Sequence, residues 1–204
     1  MALVPPSSSE HPATWKFDYP IYHAETRGQW RAWLAANHSS APGVWLGSWR
    51  ASTGRPACPY AEAVEEAICY GWIDATVNPH DDERALQLMT PRKAKSSWTR
   101  VNRQRVAAME AAGLMTDAGR RAVEVARDNG WWTIYDAVED LVEPAALAAA
   151  LDADAAARPR WDAFPPSARK AMLWWVISAS KEETSERRIA TIVDKAAKGE
   201  RAQG

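Results

Sequence analysis

A carboxylate, a cluster of cations and a helix start follow one another closely in this chain. Asp74 closes the segment Gly71-Trp72-Ile73-Asp74, and Thr90-Pro91-Arg92-Lys93-Ala94-Lys95-Ser96-Ser97-Trp98 comes soon after. A helix N-terminus carries unpaired N–H groups and a partial positive charge, so Arg92, Lys93 and Lys95 just ahead of one make an anion-binding corner. Arg92 is the best placed of the three, because Pro91 restricts the chain and a guanidinium grips carboxylate or phosphate with two hydrogen bonds. Ser96 and Ser97 are suited to cap the helix. Neither a Gly-rich P-loop nor a dinucleotide fingerprint accompanies them. Asp74 is the candidate catalytic residue, as an acid/base.

The helix expected over Ser97–Ala112 contains an anomaly. At about 100° per residue, Trp98, Asn102, Arg105, Met109 and Ala112 share one face. That face should be buried, yet it carries Asn102 and Arg105, and an unpaired buried Arg is very costly. Either the face lines a polar cleft, or Arg105 pairs with a carboxylate, with Asp74 as the leading partner. On the first reading Asp74, Arg92, Lys93, Ser97, Trp98, Asn102 and Arg105 line a cleft for a small anionic or aromatic ligand. An enzyme would use the same cleft, with Asp74 moving a proton and Arg92 or Arg105 steadying negative charge. Nucleic-acid binding would recruit Arg92, Lys93, Lys95, Arg100, Arg103 and Arg105, with Trp98 stacking. Helical geometry spreads those cations over several faces and the net charge is −1, so no nucleic-acid partner is expected.

Other reactive residue types give weaker signals. Cys58 and Cys69 stand alone, and Cys69 ends a helix, where thiolate is disfavoured. His11, His23, His38 and His80 lack metal-ligand spacing. Asp81-Asp82-Glu83 reads as a solvated turn. No metal and no cofactor are expected. Trp131-Trp132 and Trp174-Trp175 each send one ring toward the core and the other toward a neighbouring surface.

The elements that must position these residues follow from periodicity. Pro20–Ala24 reads as a short strand, Trp30, Trp33 and Leu34 as one helix face ending near Asn37-His38, and Val44–Trp49 as a second strand. Tyr60, Ala63, Val64, Ala67 and Ile68 form an apolar stripe on a helix over Pro59–Tyr70, closed by Gly71. Trp72–Val77 and Arg84–Met89 form a hairpin around the polar loop 78–83. Helices are expected over Ser97–Ala112, Asp117–Asn129, Pro144–Leu151, Ala155–Ala163, Ser167–Ala179 and Glu182–Lys198. Ser180 and Glu183 have capping-box spacing.

The pattern predicts an α+β protein: a small N-terminal α/β layer with a short mixed sheet, followed by a mostly helical C-terminal half. Its 204 residues fit one domain. That domain is expected over 15–200, with the α/β layer at 15–92 and the helical part at 93–200, behind a Pro/Ser-rich tail at 1–14. Apolar content of 47% is that of an ordinary globular chain. Twelve Trp against two Phe is unusual and places several indoles at the core edge, where their N–H groups find partners. No apolar run approaches the roughly 20 residues of a membrane span, and the first residues lack a signal-peptide pattern. Cytoplasmic location and no membrane partner are therefore expected; oligomeric state is not encoded in any of these patterns.

Several segments resemble one family. Tyr60-Ala61-Glu62-Ala63-Val64-Glu65-Glu66-Ala67, Gly71-Trp72-Ile73-Asp74, Thr90-Pro91-Arg92-Lys93, Ser97-Trp98 and Met115-Thr116-Asp117-Ala118-Gly119 are similar to the YdeI/OmpD-associated (bacteriocin-protection) family. Glu183-Thr184-Ser185-Glu186-Arg187-Arg188-Ile189-Ala190 resembles its closing helix. The likeness runs over about residues 20 to 200. Ser185 stands where many members carry a basic residue, so a role for that cation does not carry over. The resemblance implies protection against bacteriocins or antimicrobial peptides, a stress-resistance role, and transfers no catalytic residue set.

Overall fold

A computed structural model describes residues 18–202; the expected tail 1–14 and His11 lie outside the described residues. The chain forms two compact units, one ending at Trp132 and the other beginning at Thr133.

The first unit runs β1 (Ile21–His23), α1 (Arg27–Asn37), β2 (Val44–Trp49), α2 (Tyr60–Cys69), β3 (Trp72–Pro79), β4 (Arg84–Pro91), α3 (Arg100–Ala111) and α4 (Asp117–Asp128). The strands make one mixed sheet in the order β1-β2-β4-β3, with β1 parallel to β2 and the other pairs antiparallel. A parallel neighbour needs a crossover, which α1 supplies. Thr26 and Gln29 close a reciprocal capping box at its start. The β3–β4 register shifts between Asp74 and Val77, so the strand bends next to the carboxylate of interest.

One face of the sheet carries the main core, in which Trp30, Leu34, Val44, Leu46, Val64, Ile68, Trp72, Met89 and Trp98 pack together. Ile21, Trp45, Leu86 and Leu88 form a smaller cluster with Tyr19 on the other. Trp30, Trp45, Trp72 and Trp98 lie fully inside, whereas Trp33 and Trp132 sit at the core edge as expected. Burial is tolerable because the Trp30 indole donates to the Ala63 carbonyl (3.0 Å) and that of Trp72 to His38 (3.2 Å).

The stripe on α2 hides a buried charge. Glu66 is 1% exposed and accepts from Arg27 and Arg31 of α1, each at 2.6 Å. Arg31 also donates to the Leu114 carbonyl, and Arg27 reaches Glu65 at 2.9 Å. A buried carboxylate persists only when fully paired, and this one is.

Helix α3 begins later than the sequence suggests. Thr99 is its N-cap, extended at φ −70° and ψ 161°, and its side chain accepts from the Asn102 N–H. Ser96 instead accepts from the Lys93 N–H and tightens the preceding turn. Trp98 therefore precedes the helix and is off its wheel; the buried residues of α3 are Val106 and Met109, and Ala112 is exposed. With Val123 and Ala126 of α4 these join the sheet core, so both helices pack with the first unit rather than with the helices that follow.

The second unit is helical: α5 (Asp136–Glu139), α6 (Ala145–Asp152), α7 (Ala157–Ala163), α8 (Pro166–Ile177) and α9 (Glu182–Ala197). Val138, Leu147, Leu151, Trp161, Met172, Leu173, Ile189 and Ile192 form its core. The short α5 has no counterpart in the sequence reading. It ends with Leu141 at φ 57°, a conformation usually left to Gly, and the Val142 N–H bonds back to Ala137. The Ser180–Glu183 capping box does not form: Lys181 is the N-cap of α9, without a side-chain bond. No helix among the described residues is long and apolar enough to cross a membrane.

Candidate functional site

Tyr60 begins the apolar stripe of α2, yet it is 55% exposed, because it stands where α2 leaves the sheet. Its hydroxyl donates to Asp74 Oδ2 at 2.6 Å. Burial of the phenol, then the Asp74 carboxylate, push its pKa up to about 12, with Arg105 opposing. At neutral pH the phenol is therefore a committed hydrogen-bond donor.

Arg105 does not reach Asp74. Among the described residues its hydrogen bond is to Asn102 Oδ1 at 3.4 Å, and no ion pair joins it to the carboxylate. The reason is local: the Tyr60 hydroxyl occupies Asp74, while Asn102, one turn away on a half-buried face of α3, takes Arg105. The expected direct Asp74–Arg105 pair is thus replaced by a Tyr60–Asp74 pair, with Arg105 close enough to influence the phenol.

Arg92 adopts a different role from the expected helix-start clamp. Its Nε donates to the Trp72 carbonyl (3.2 Å), its Nη1 to the Ser97 carbonyl (3.0 Å), and its guanidinium lies 3.5 Å from the centre of the Trp98 ring. Loss of hydration pulls its pKa down to about 9, against the weaker upward pull of Asp74, although part of the side chain still meets solvent. Ser97 contributes its carbonyl and Trp98 its ring face, so Arg92, Ser97 and Trp98 come together as one packed cluster. Lys93 is exposed beside it.

Next to Tyr60 lies a cavity of about 220 Å³ between α2 and the sheet. Small side chains create it: Ala24, Ala63 and Ala85 leave unfilled a space that Leu46, Met89, Cys58 and Val77 enclose. Ser48, Gln87 and Tyr60 supply its polar groups. Gln87 Nε2 is spent on the Ala75 carbonyl at 2.9 Å, which fixes its amide. The Cys58 thiol, pushed up to about 11 by burial, remains neutral. Sequence reasoning missed Ser48, Cys58 and Gln87, which carry no motif. Sequence reasoning places Tyr60 only in the apolar stripe; its hydroxyl at the head of an otherwise aliphatic face is the signal that sets it apart.

No group of His, Cys, Asp and Glu suited to a metal occurs among the described residues. Asp81 serves the β3–β4 turn, accepting from the Glu83 and Arg84 N–H groups and pairing with the Arg84 guanidinium at 2.7 Å.

The architecture is thus an α+β protein made of a helix-covered mixed sheet and a helical unit. Residues 140–199 match the family described as Bacteriocin-protection, YdeI or OmpD-Associated. Residues 22–122 match a separate family, a domain of unknown function (DUF8412). The bacteriocin-protection match is narrower than the resemblance over residues 20 to 200: it takes in the closing Glu183–Ala190 helix, whereas the motifs between Tyr60 and Gly119 fall in the other stretch. Comparison with curated proteins and with solved structures finds no match.

Proposed function

We propose that this is a protection-type protein whose first unit binds a small aromatic molecule in the cavity beside Tyr60. The match over residues 140–199 supports the protection role. The cavity carries the ligand reading. An apolar space of 150 Å³ is enough to admit benzene, so about 220 Å³ suits a single ring with a substituent. Burying such a ring removes roughly 150–200 Å² of apolar surface, worth about 4–5 kcal/mol before association costs. Association costs offset much of this, so a Kd in the millimolar range or weaker is the expectation. The Tyr60 hydroxyl and the Ser48 hydroxyl are the groups to read a polar substituent.

The alternative, an enzyme with Asp74 as acid/base, draws support from the short Tyr60–Asp74 contact. It loses support where Arg92 spends two nitrogens on main-chain carbonyls rather than on an incipient anion.

Ligand-detected and protein-detected NMR with phenol, indole and p-cresol tests the binding. Saturable shifts for the backbone signals of Ala63, Ala85 and Gln87 are expected, and Ala85→Leu, which fills the space from the sheet, should abolish them. No saturable response up to 10 mM, or unchanged binding to a folded Ala85→Leu protein, would sink the reading.

A further inference from the structure

Between the Arg92–Ala94 segment and α4 there is a second groove, of about 280 Å³. We propose that it binds the phosphate of a small organic phosphate monoester, with Arg92, Lys93 and Arg121 on the phosphate and Ala94, Ala122 and Val125 under the organic body. The assignment is independent of the aromatic cavity.

The groove exists because α4 is drawn very close to the end of α2. Thr116 fixes the approach, its hydroxyl donating to the Cys69 carbonyl at 2.6 Å and its N–H to the same oxygen at 3.1 Å. Gly71 and Gly119 permit it, since a Cβ at either would meet main-chain oxygen at 2.9 and 2.4 Å. The Arg92 N–H then bonds the Gly71 carbonyl, so the cationic segment lies alongside the same helix. Arg121 and Arg92 are brought together across 29 residues of sequence by these contacts.

Three cations line the groove and, among the described residues, no carboxylate does. Like charges gathered on one concave surface repel, and fixed cations in a cleft raise the local concentration of anions. Lys93 and Arg121 are also uncommitted, and Arg92 keeps one of its three nitrogens free. Among the described residues Nη2 of Arg92 has no partner, its Nε and Nη1 being spent on carbonyls. Arg121 and Lys93 make no side-chain hydrogen bond or ion pair among the described residues, and Glu124, one turn from Arg121 on α4, does not pair with it. By contrast Arg120, its neighbour on α4, is paired with Glu110 and Asp117. Three positive charges favour a dianion over a monoanion, and guanidinium forks match phosphate oxygens. Val125, 44% exposed, and the two alanines leave an apolar strip that inorganic phosphate would not cover.

Calorimetric titration of the full chain at low salt with phenyl phosphate, inorganic phosphate, benzoate and a short oligothymidylate tests this. Phenyl phosphate should bind saturably, several-fold tighter than inorganic phosphate or benzoate. Arg121→Gln and Lys93→Gln should each weaken it about five- to tenfold, while Arg120→Gln leaves it within twofold. Four results would each overturn the assignment: no saturable binding at 10 mM; equal binding by wild type and folded Arg121→Gln; equal affinity for inorganic and phenyl phosphate; or tighter oligothymidylate binding with a steep salt dependence.

Discussion

Gly119 packs directly on Cys69: a Cβ at residue 119 would lie 2.4 Å from the Cys69 carbonyl oxygen and 2.8 Å from its carbon. Gly in a helix interior costs about 1 kcal/mol relative to Ala, so propensity alone favours replacing it. The clash is with main chain held by the Thr116 bonds, which cannot swing aside as a side chain would. Gly119→Ala should therefore destabilise the first unit by roughly 2–3 kcal/mol, read as a lower urea midpoint, and should also disturb the cationic groove that α4 helps form.

The opposite sign is expected at Gly28. It sits inside α1, and a Cβ there would meet nothing within 4 Å. Gly28→Ala should stabilise by ~0.5 kcal/mol, through a smaller loss of backbone entropy on folding. Thermal unfolding of the two variants side by side checks both; stabilisation by Gly119→Ala would contradict the close packing.

The difference between these glycines marks what the sequence does and does not disclose. Helices and strands were legible because their periodicities are local: β2 and the α2 stripe lie where the pattern puts them. Contacts across long separations were not. Glu66 reads as an interruption of an apolar helix until Arg27 and Arg31 arrive from 39 and 35 residues away. Trp98 and Arg105 looked like one helical face because nothing local distinguishes Ser97 from Thr99 as a cap, and a cap at Thr99 leaves Trp98 outside the helix. Of the candidate site residues, Arg92, Ser97 and Trp98 converge and Asp74 finds a tyrosine instead of an arginine. Arg121 had no signal at all, since its neighbours on α4 are equally basic.

Glu66 offers a test of the buried network. Its removal leaves two guanidiniums facing an apolar interior, and breaking a buried pair from one side costs about 3–5 kcal/mol. Because Arg27 and Arg31 are each 31% exposed, and Arg27 keeps Glu65, the lower end applies to Glu66→Ala. A drop of about 3 kcal/mol in urea unfolding is expected, whereas a loss below ~1 kcal/mol would show that water already screens the pair.

Tyr60 should make stability sensitive to alkaline pH. Its folded pKa, about 12, lies above the ordinary value of 10. A raised pKa means that the favourable contribution is complete below pH 10 and is lost as pH rises through 10 toward 12. Tyr60→Phe should remove that part of the loss while costing little at pH 7, where an exposed hydrogen bond contributes about 1 kcal/mol or less. Ultraviolet difference titration should show one fewer phenol ionising near pH 12; an unchanged titration would mean Tyr60 does not hold its proton against Asp74.

The second unit should be sensitive to acid instead, through Glu143. This carboxylate accepts from Arg158 at 2.8 and 2.9 Å, from the Trp161 indole at 2.7 Å and from Arg169 at 3.3 Å. The hydrogen bonds from Arg158 lead in holding its pKa below the usual 4.5, with burial opposing. A depressed pKa gives stability that is present above pH 4.5 and is lost as pH falls through the lowered folded value. Glu143→Gln keeps the shape but removes the charge between two guanidiniums, at a cost of roughly 2 kcal/mol near neutrality. Its stability should fall less steeply than that of the wild type below pH 4.5, and the two curves should converge. Asp162, also lowered by Arg158, keeps the variant's curve from becoming flat. Following the Trp161 indole resonance through an acid titration isolates this unit, and parallel curves for the two proteins would refute the role assigned to Glu143.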